Sequence, residues 1–318
     1  MSDLEGDLPP VRYMGGKMDL VQEQFPDYFA DAEADFKDAR FVICGIPYDA
    51  TVSFRHGTRY GPKWIRQAAW NCEQFNIRNR VNLTDIPIHD MGDLTEVTDL
   101  HADKMFDVVH QAARKIVQAN KFPLFLGGEH STIPPVIHAV KEKYPDLGVI
   151  QLDAHLDYRR DYHGTINNHA CAMKRTADAV SPQKMVGIGI RSVEAEEYER
   201  ATREGFKFYT AYDVNRMGFA QALNEALDHL NTKHIYITLD IDGIDPAYAP
   251  GTGTPEPFGL TPWDVLRTIT RTADRLVGFD INEVAPAWDT GQTAALAAKL
   301  CREVMTEVWE KQGRHGLH

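Results

Sequence analysis

From about residue 41 to its end, the sequence alternates strand-like and helix-like segments. That pattern predicts an α/β fold of parallel strands joined by crossover helices. Runs such as GVIQL (148–152) and LVGF (276–279) are apolar at every or nearly every position. Such runs belong in a sheet covered on both faces. No internal repeat, low-complexity segment or linker breaks the alternation, so one domain is expected over residues 41–318.

Residues 1–40 carry Gly, Pro and acidic side chains with little periodicity, and read as an arm lying over the surface or into a neighbouring subunit. FVICGI (41–46) follows as a buried strand. GPKWIRQAAWNCEQF (61–75) reads as a helix, with Pro62 favourably placed in its first turn. HADKMFDVVHQAARKIVQAN (101–120) is helical, FPLFLGG (122–128) is a strand ending in glycines, and STIPPVIHAVKEKY (131–144) is a helix with prolines at its start. The strand GVIQLDAH (148–155) and the short helix ACAMKRTADAV (170–180) come next. KMVGIGIR (184–191) is a strand, SVEAEEYERATREG (192–205) a helix ended by Gly205, and FKFYTAYDV (206–214) a strand. The remaining pairs are the helix FAQALNEALDHLN (219–231) with the strand HIYITLDID (234–242), and the helix TPWDVLRTITRTAD (261–274) with the strand RLVGFDINEVAP (275–286). A long helix from about Gly291 closes the chain.

The composition is that of an ordinary globular protein, with 43% hydrophobic and 25% charged residues in 318. A net charge of −12 argues against a nucleic-acid surface. No apolar run approaches the roughly 18 residues of a membrane span, and the acidic start MSDLEGDLPP has no apolar signal core. Cys44, Cys72, Cys171 and Cys301 form neither a CxxC nor a finger spacing, so neither a disulfide framework nor a structural zinc is expected. The expected compartment is the cytoplasm.

In α/β sheets, ligands bind beyond the carboxyl ends of the strands. Candidate metal ligands crowd such ends here. GGEHS brings His130, DAHLD brings Asp153, His155 and Asp157, LDIDGID brings Asp240 and Asp242, and FDINEVAP brings Glu283. Alternation along an extended strand places Asp153, His155 and Asp157 on one face, and Asp240 with Asp242 likewise. Carboxylates at buried strand ends are costly unless cations sit among them. Two imidazoles and four carboxylates exceed what one ion takes from a protein, and suit two ions with bridging carboxylates. A carboxylate-rich set without cysteine favours a hard or borderline ion, Mn²⁺ above Zn²⁺. A metal pair can hold and activate a bridging water, so metal-assisted hydrolysis is the expected reaction class.

Taken in order, GGEHS, DAHLD, LDIDGIDPAYAPGTGTPE and DINEVAP resemble the ureohydrolase (arginase/agmatinase) family, and GIPYDATVSFRHGTRYGPKWIR resembles its N-terminal segment. The similarity runs from about Val42 to the C-terminal helix. It implies a three-layer α/β/α domain around a mostly parallel eight-stranded sheet. It also implies hydrolysis of a guanidino group to urea and an amine, by a hydroxide bridging two Mn²⁺ ions, or Ni²⁺ in a few relatives. His130, Asp153, Asp157 and Asp242 include the implied terminal ligands, Asp153 and Asp240 are among the bridging groups, and His155 binds the second ion. Asp157 also counts among the implied catalytic residues. Glu283 is implied to accept the N–H groups of the guanidinium, a planar cation that suits a carboxylate. His169, in NNHACAMKR, matches the family's proton-shuttle histidine. Two departures stand out: Glu129 replaces the more common Asp of GGDHS, and NNHACAMKR differs from the HG of arginases and many agmatinases.

GTGTPEP, and the AP that follows Glu283, fit the agmatinase branch, so a substrate without an amino-acid head group is expected. Alternatives are a Ni²⁺-dependent guanidine or biguanide (metformin-type) hydrolase and a guanidino-acid hydrolase such as a guanidinobutyrase. A single-Zn²⁺ hydrolase of the related deacetylase group and a non-catalytic subunit are disfavoured, because the ligand set is complete. Tyr158 and Trp288 are candidates for an aromatic wall around the substrate. Arg159 and Arg160 are read as structural ion pairs rather than carboxylate binders. The family's habit of forming trimers or hexamers implies a homo-oligomer, or a hetero-oligomer with a related subunit.

Overall fold

The computed structural model describes residues 12–13, 16–17 and 26–313. Eight strands pair into one sheet: β1 (Phe41–Gly45), β2 (Ile88–Asp93), β3 (Phe122–Leu126), β4 (Leu147–Leu152), β5 (Met185–Ile190), β6 (Lys207–Thr210), β7 (His234–Asp240) and β8 (Leu276–Asn282). Every pairing in it is parallel, and the spatial order is β6-β5-β4-β7-β8-β3-β1-β2. The helices are α1 (Gly61–Ala69), α2 (Ala102–Gln118), α3 (Pro134–Lys143), α4 (Ala172–Val180), α5 (Ala195–Glu204), α6 (Ala211–Met217), α7 (Phe219–Leu230), α8 (Pro262–Thr272) and α9 (Gln292–Gln312).

Strand alternation divides the core into two layers. On β1, Phe41 and Ile43 join a cluster with α1, α7, α8 and α9, while Val42 and Cys44 join a second cluster with α2, α3, α4 and α5. Helices therefore cover both faces, as the apolar strands predict. The chain jumps from β3 to β4 and leaves two places between them, which β7 and β8 later fill. The four adjacent central strands, β4-β7-β8-β3, are thus the ones followed by the ligand-bearing motifs.

Several expectations are corrected. FKFYTAYDV is not one strand: β6 stops at Thr210, whose side chain accepts from the Asp213 N–H while Asp213 returns the bond, and this capping box starts α6. The helix expected over 61–75 ends at Ala69, and Phe75–Asn76 pairs instead with Val81–Asn82. Edge strand β2, IHDMGD, has no counterpart in the sequence reading. The later part of the expected arm packs onto the domain: Phe29 is fully buried, and Asp31 pairs with the buried Arg302 at 2.9 Å. The arm's residues 1–11, 14–15 and 18–25 lie outside the described residues.

Candidate metal centre

β4 ends at Leu152, so Asp153, His155 and Asp157 lie beyond the strand rather than alternating along it. They are gathered by the loop, which turns through a left-handed backbone at Asp157 (φ 51°). Asp240 is the last residue of β7, and Asp242 sits in the 3₁₀ turn Ile241–Gly243 that follows. After β3, Gly127 and Gly128 let the chain pass tightly, since a Cβ at Gly128 would run into the Tyr48 backbone. His130 then opens a short 3₁₀ turn. Glu283, one residue past β8, also has a left-handed backbone (φ 61°). For non-glycine residues such conformations are uncommon and gather at functional sites.

The six predicted ligands converge as two overlapping groups. His130, Asp153, Asp157 and Asp240 form one, and Asp153, His155 and Asp242 the other, with the ligand atoms of each within 4.8 Å of one another. Asp153 belongs to both. His130 Nδ1 lies 3.0 Å from Asp157, 3.2 Å from Asp153 and 3.5 Å from Asp240. His155 Nδ1 lies 3.1 Å from Asp242 and 3.7 Å from Asp153.

Packing several buried carboxylates together distorts their ionisation. Burial, and then the neighbouring Asp242, raises Asp153. Burial and Asp153 push Asp157 up to about 7, and burial with Asp242 drives Asp240 well up. Burial would also raise Asp242, but His155 and the Thr254 hydroxyl outweigh it and hold it below the usual range. Against the pull of burial, Asp242 and Asp153 raise His155 to about 10, and Asp153 and Asp157 raise His130. Divalent cations would relieve this repulsion, and an oxygen-rich set with two imidazoles suits them. On this ground the residues present fit two metal ions.

Supporting bonds orient the ligands. The His130 Nε2 lies 2.9 Å from Thr238 Oγ1, which donates to Asp280 at 2.8 Å. The hydroxyl proton being so used, Nε2–H donates to Thr238 and Nδ1 is left for the metal side. The Gln151 amide donates to Asp153 at 2.8 Å, and Thr254 donates to Asp242 at 2.9 Å. The His130 backbone N–H donates to Glu283 Oε1 at 2.8 Å, tying the ends of β3 and β8 together.

A cleft of about 270 Å³ opens over this centre. Asp157, Asp240, Asp242, His155, His169 and Glu283 all line it, while His130 and Asp153 are fully buried. Glu283 is raised well above the usual carboxylate range by burial and by Glu129. Burial, and then the nearby His155, lowers His169 to about 4, so its imidazole is neutral.

The aromatic wall is not where the sequence put it. Tyr158 is fully buried; its hydroxyl donates to Glu204 at 2.7 Å, and its ring packs on Phe206. Trp288 is half-exposed outside the cleft lining, under Arg55, with its indole N–H donating to the His56 carbonyl at 3.0 Å. Tyr162 lines the cleft instead. Arg159 makes the expected ion pair, 3.1 Å from Glu194, yet it also lines the cleft. Thr238, Asp280 and Gln151 have a signal in the sequence, as polar residues within apolar strands, whereas Thr254 lies in a loop that carries none.

Residues 39–306 match the arginase family. An agmatinase of Bacillus cereus is 37% identical over 281 residues, 87% of this chain and 94% of that protein. A guanidinobutyrase of Pseudomonas aeruginosa is 32% identical over 289 residues, 89% of this chain and 90% of that protein. Among solved structures, the agmatine ureohydrolase of Thermoplasma volcanium superposes with a TM-score of 0.85 at 36% identity, covering 92% of this chain and 97% of that one. The fold and site thus define a ureohydrolase, a hydrolase acting on C–N bonds of linear amidines. The chain belongs to the arginase family.

Proposed function

We propose that the protein hydrolyses agmatine, or a guanidino compound like it, to urea and an amine with two Mn²⁺ ions bound. The observation that carries this reading is Asp153, shared by two ligand groups under a cleft that Glu283 also lines. His130, Asp157 and Asp240 would hold one ion and His155 and Asp242 the other, with Asp153 common to the two ligand groups. When bound, such a pair supplies a water nucleophile activated at neutral pH.

The protein's own groups do the rest. Glu283 has one oxygen anchored by the His130 N–H, so its carboxylate is held rigidly for the N–H groups of the guanidinium. That contact orients the guanidino carbon. Asp157 belongs to one ligand group and also lines the cleft, so it would hold an ion and be exposed to the substrate as well. Water adds to the guanidino carbon, the bond to the substituted nitrogen breaks, and the leaving amine takes a proton. Guanidinium plus water thereby gives urea plus an alkylammonium. His169 is the neutral imidazole in reach of the cleft that carries that proton.

The outer cleft supports a cationic or neutral tail. Arg159 already pairs with Glu194 at 3.1 Å and Glu197 at 3.9 Å, and its guanidinium lies over the Tyr162 ring. Two carboxylates against its one guanidinium leave Arg159 already neutralised toward a substrate carboxylate. By the family's habit the enzyme is a homo-oligomer. Among the described residues no helix is long and apolar enough to cross a membrane. Urea release from agmatine, 4-guanidinobutyrate, guanidine and a biguanide, with Mn²⁺ and with Ni²⁺, tests the reading. Agmatine with Mn²⁺ is the expected best pair. A preference for guanidinobutyrate overturns the argument from Arg159, and activity only on guanidine or a biguanide with Ni²⁺ overturns the assignment of substrate and metal.

A further inference from the structure

Glu129 is fully buried next to the ligand His130 but takes no part in the ligand groups. Its carboxylate is engaged from the loop after β1. Oε2 accepts the Thr51 backbone N–H at 2.7 Å, and Oε1 accepts both the Thr51 and the Ser131 hydroxyls. Three donors, one backbone N–H and two hydroxyls, converge on its two oxygens, so Glu129 is placed as an acceptor and the single hydroxyl proton of Thr51 is committed to it. Thr51 Oγ1 still has two neighbours, both on His169: the backbone N–H at 3.1 Å and the ring Nδ1 at 3.2 Å. Toward these it can only accept.

We infer that Glu129, acting through Thr51, fixes His169 in the tautomer that carries its proton on Nδ1 and turns a bare Nε2 to the cleft. Nε2 lies 3.4 Å from Ser53 Oγ, and Ser53 lines the cleft. Ser53 can donate to Nε2 until substrate enters. The Tyr162 ring meets the imidazole edge-on at 5.9 Å between centroids. A bare Nε2 can take a proton from the attacking water and then give it to the leaving amine. The opposite tautomer would present an N–H, which has no lone pair free to take a proton from water. Glu129 and Thr51 are positioning residues in this scheme, since neither touches substrate. The catalytic consequence rests on the proton-carrier reading of His169; the tautomer itself does not.

The test is a long-range ¹H–¹⁵N spectrum of the metal-free full-length chain, ¹⁵N-labelled at histidine, at pH 8. The His169 signals are those lost in His169→Asn. The expected wild-type pattern is a protonated Nδ1 and a bare Nε2. Thr51→Val should abolish the bias, and Thr51→Ser should restore it. Glu129→Gln should invert it, because the amide N–H₂ can donate to Thr51 Oγ1 and free the hydroxyl proton for Nδ1. In urea release, Thr51→Val should lower kcat by about 100-fold with little change in KM, the scale of a lost general acid–base step. A wild-type proton on Nε2, or an unchanged spectrum in Thr51→Val and Glu129→Gln, overturns the inference. If Thr51→Val does not fold by circular dichroism, Thr51→Ser and Glu129→Gln decide it. The expected spectra together with full activity in His169→Asn would leave the tautomer standing and sink the proton-carrier role instead.

Discussion

Glu283→Gln changes charge and donor pattern with almost no change in shape. In the wild-type protein Oε1 accepts the His130 N–H at 2.8 Å, and the residue is only 5% exposed. In the variant the amide oxygen must keep that bond, which turns the amide N–H₂ toward the substrate. A donor then faces the N–H groups of the guanidinium. The loss combines a charge-assisted hydrogen bond, worth about 1.5–3 kcal/mol, with the cost of unpaired donors in a buried place, about 1–3 kcal/mol. These overlap, and about 3 kcal/mol is the reasonable total, or roughly 150-fold in kcat/KM. Glu283 belongs to neither ligand group, so metal content should stay at the wild-type level. The assay is steady-state urea release from agmatine beside metal analysis of the same sample. A loss below about 5-fold, a few tenths of the free energy of one such bond, would refute the guanidinium role. A fall in metal content would give Glu283 a different job.

Three further outcomes are expected. Asp153→Ala removes the residue common to both ligand groups, so metal content should fall and urea release should drop by more than about 1000-fold; retained activity with two ions would contradict the shared-ligand geometry. Thr238→Val removes the acceptor that orients His130, and should weaken metal binding by about 10–100-fold in a calorimetric titration. Metal removal should lower the melting temperature more at pH 8 than at pH 5.5. Folding raises Asp157 to about 7 and His155 to about 10, so the metal-free fold binds more protons than the unfolded chain. Their contribution is complete at low pH and is lost as pH rises through these values. Bound cations replace those protons, and an equal melting shift at both pH values would contradict the charge account.

The convergence of the candidate ligands is legible in the sequence because each motif is short and sits next to its own strand end. His130, the DAHLD trio and the Asp240–Asp242 pair need only the right strand order to meet, and β4-β7-β8-β3 supplies it. The local cause differs from the one expected: Asp153, His155 and Asp157 are brought together by a loop with a left-handed turn at Asp157, not by strand alternation. Contacts that depend on distant loops were not legible. Thr51 meets His169 across 118 positions, and nothing in either segment announces the other. Tyr158 fits an aromatic wall by position in sequence, but its side chain points into the core toward Phe206, and Tyr162 takes the cleft. Strand β2 escaped because IHDMGD is a half-buried edge strand whose Asp90 and Asp93 serve the buried Arg66, with Asp90 at 2.7 Å, so it lacks an apolar run.

Everything above turns on a two-ion centre that hydrolyses a guanidino group. It is tested most directly by titrating the metal-free protein with Mn²⁺ and following bound metal and urea release from agmatine in the same samples. Two ions should bind per chain at saturation, with activity rising as the second site fills. Saturation at one ion with full activity, or two ions bound with no urea from any guanidino compound, would contradict it.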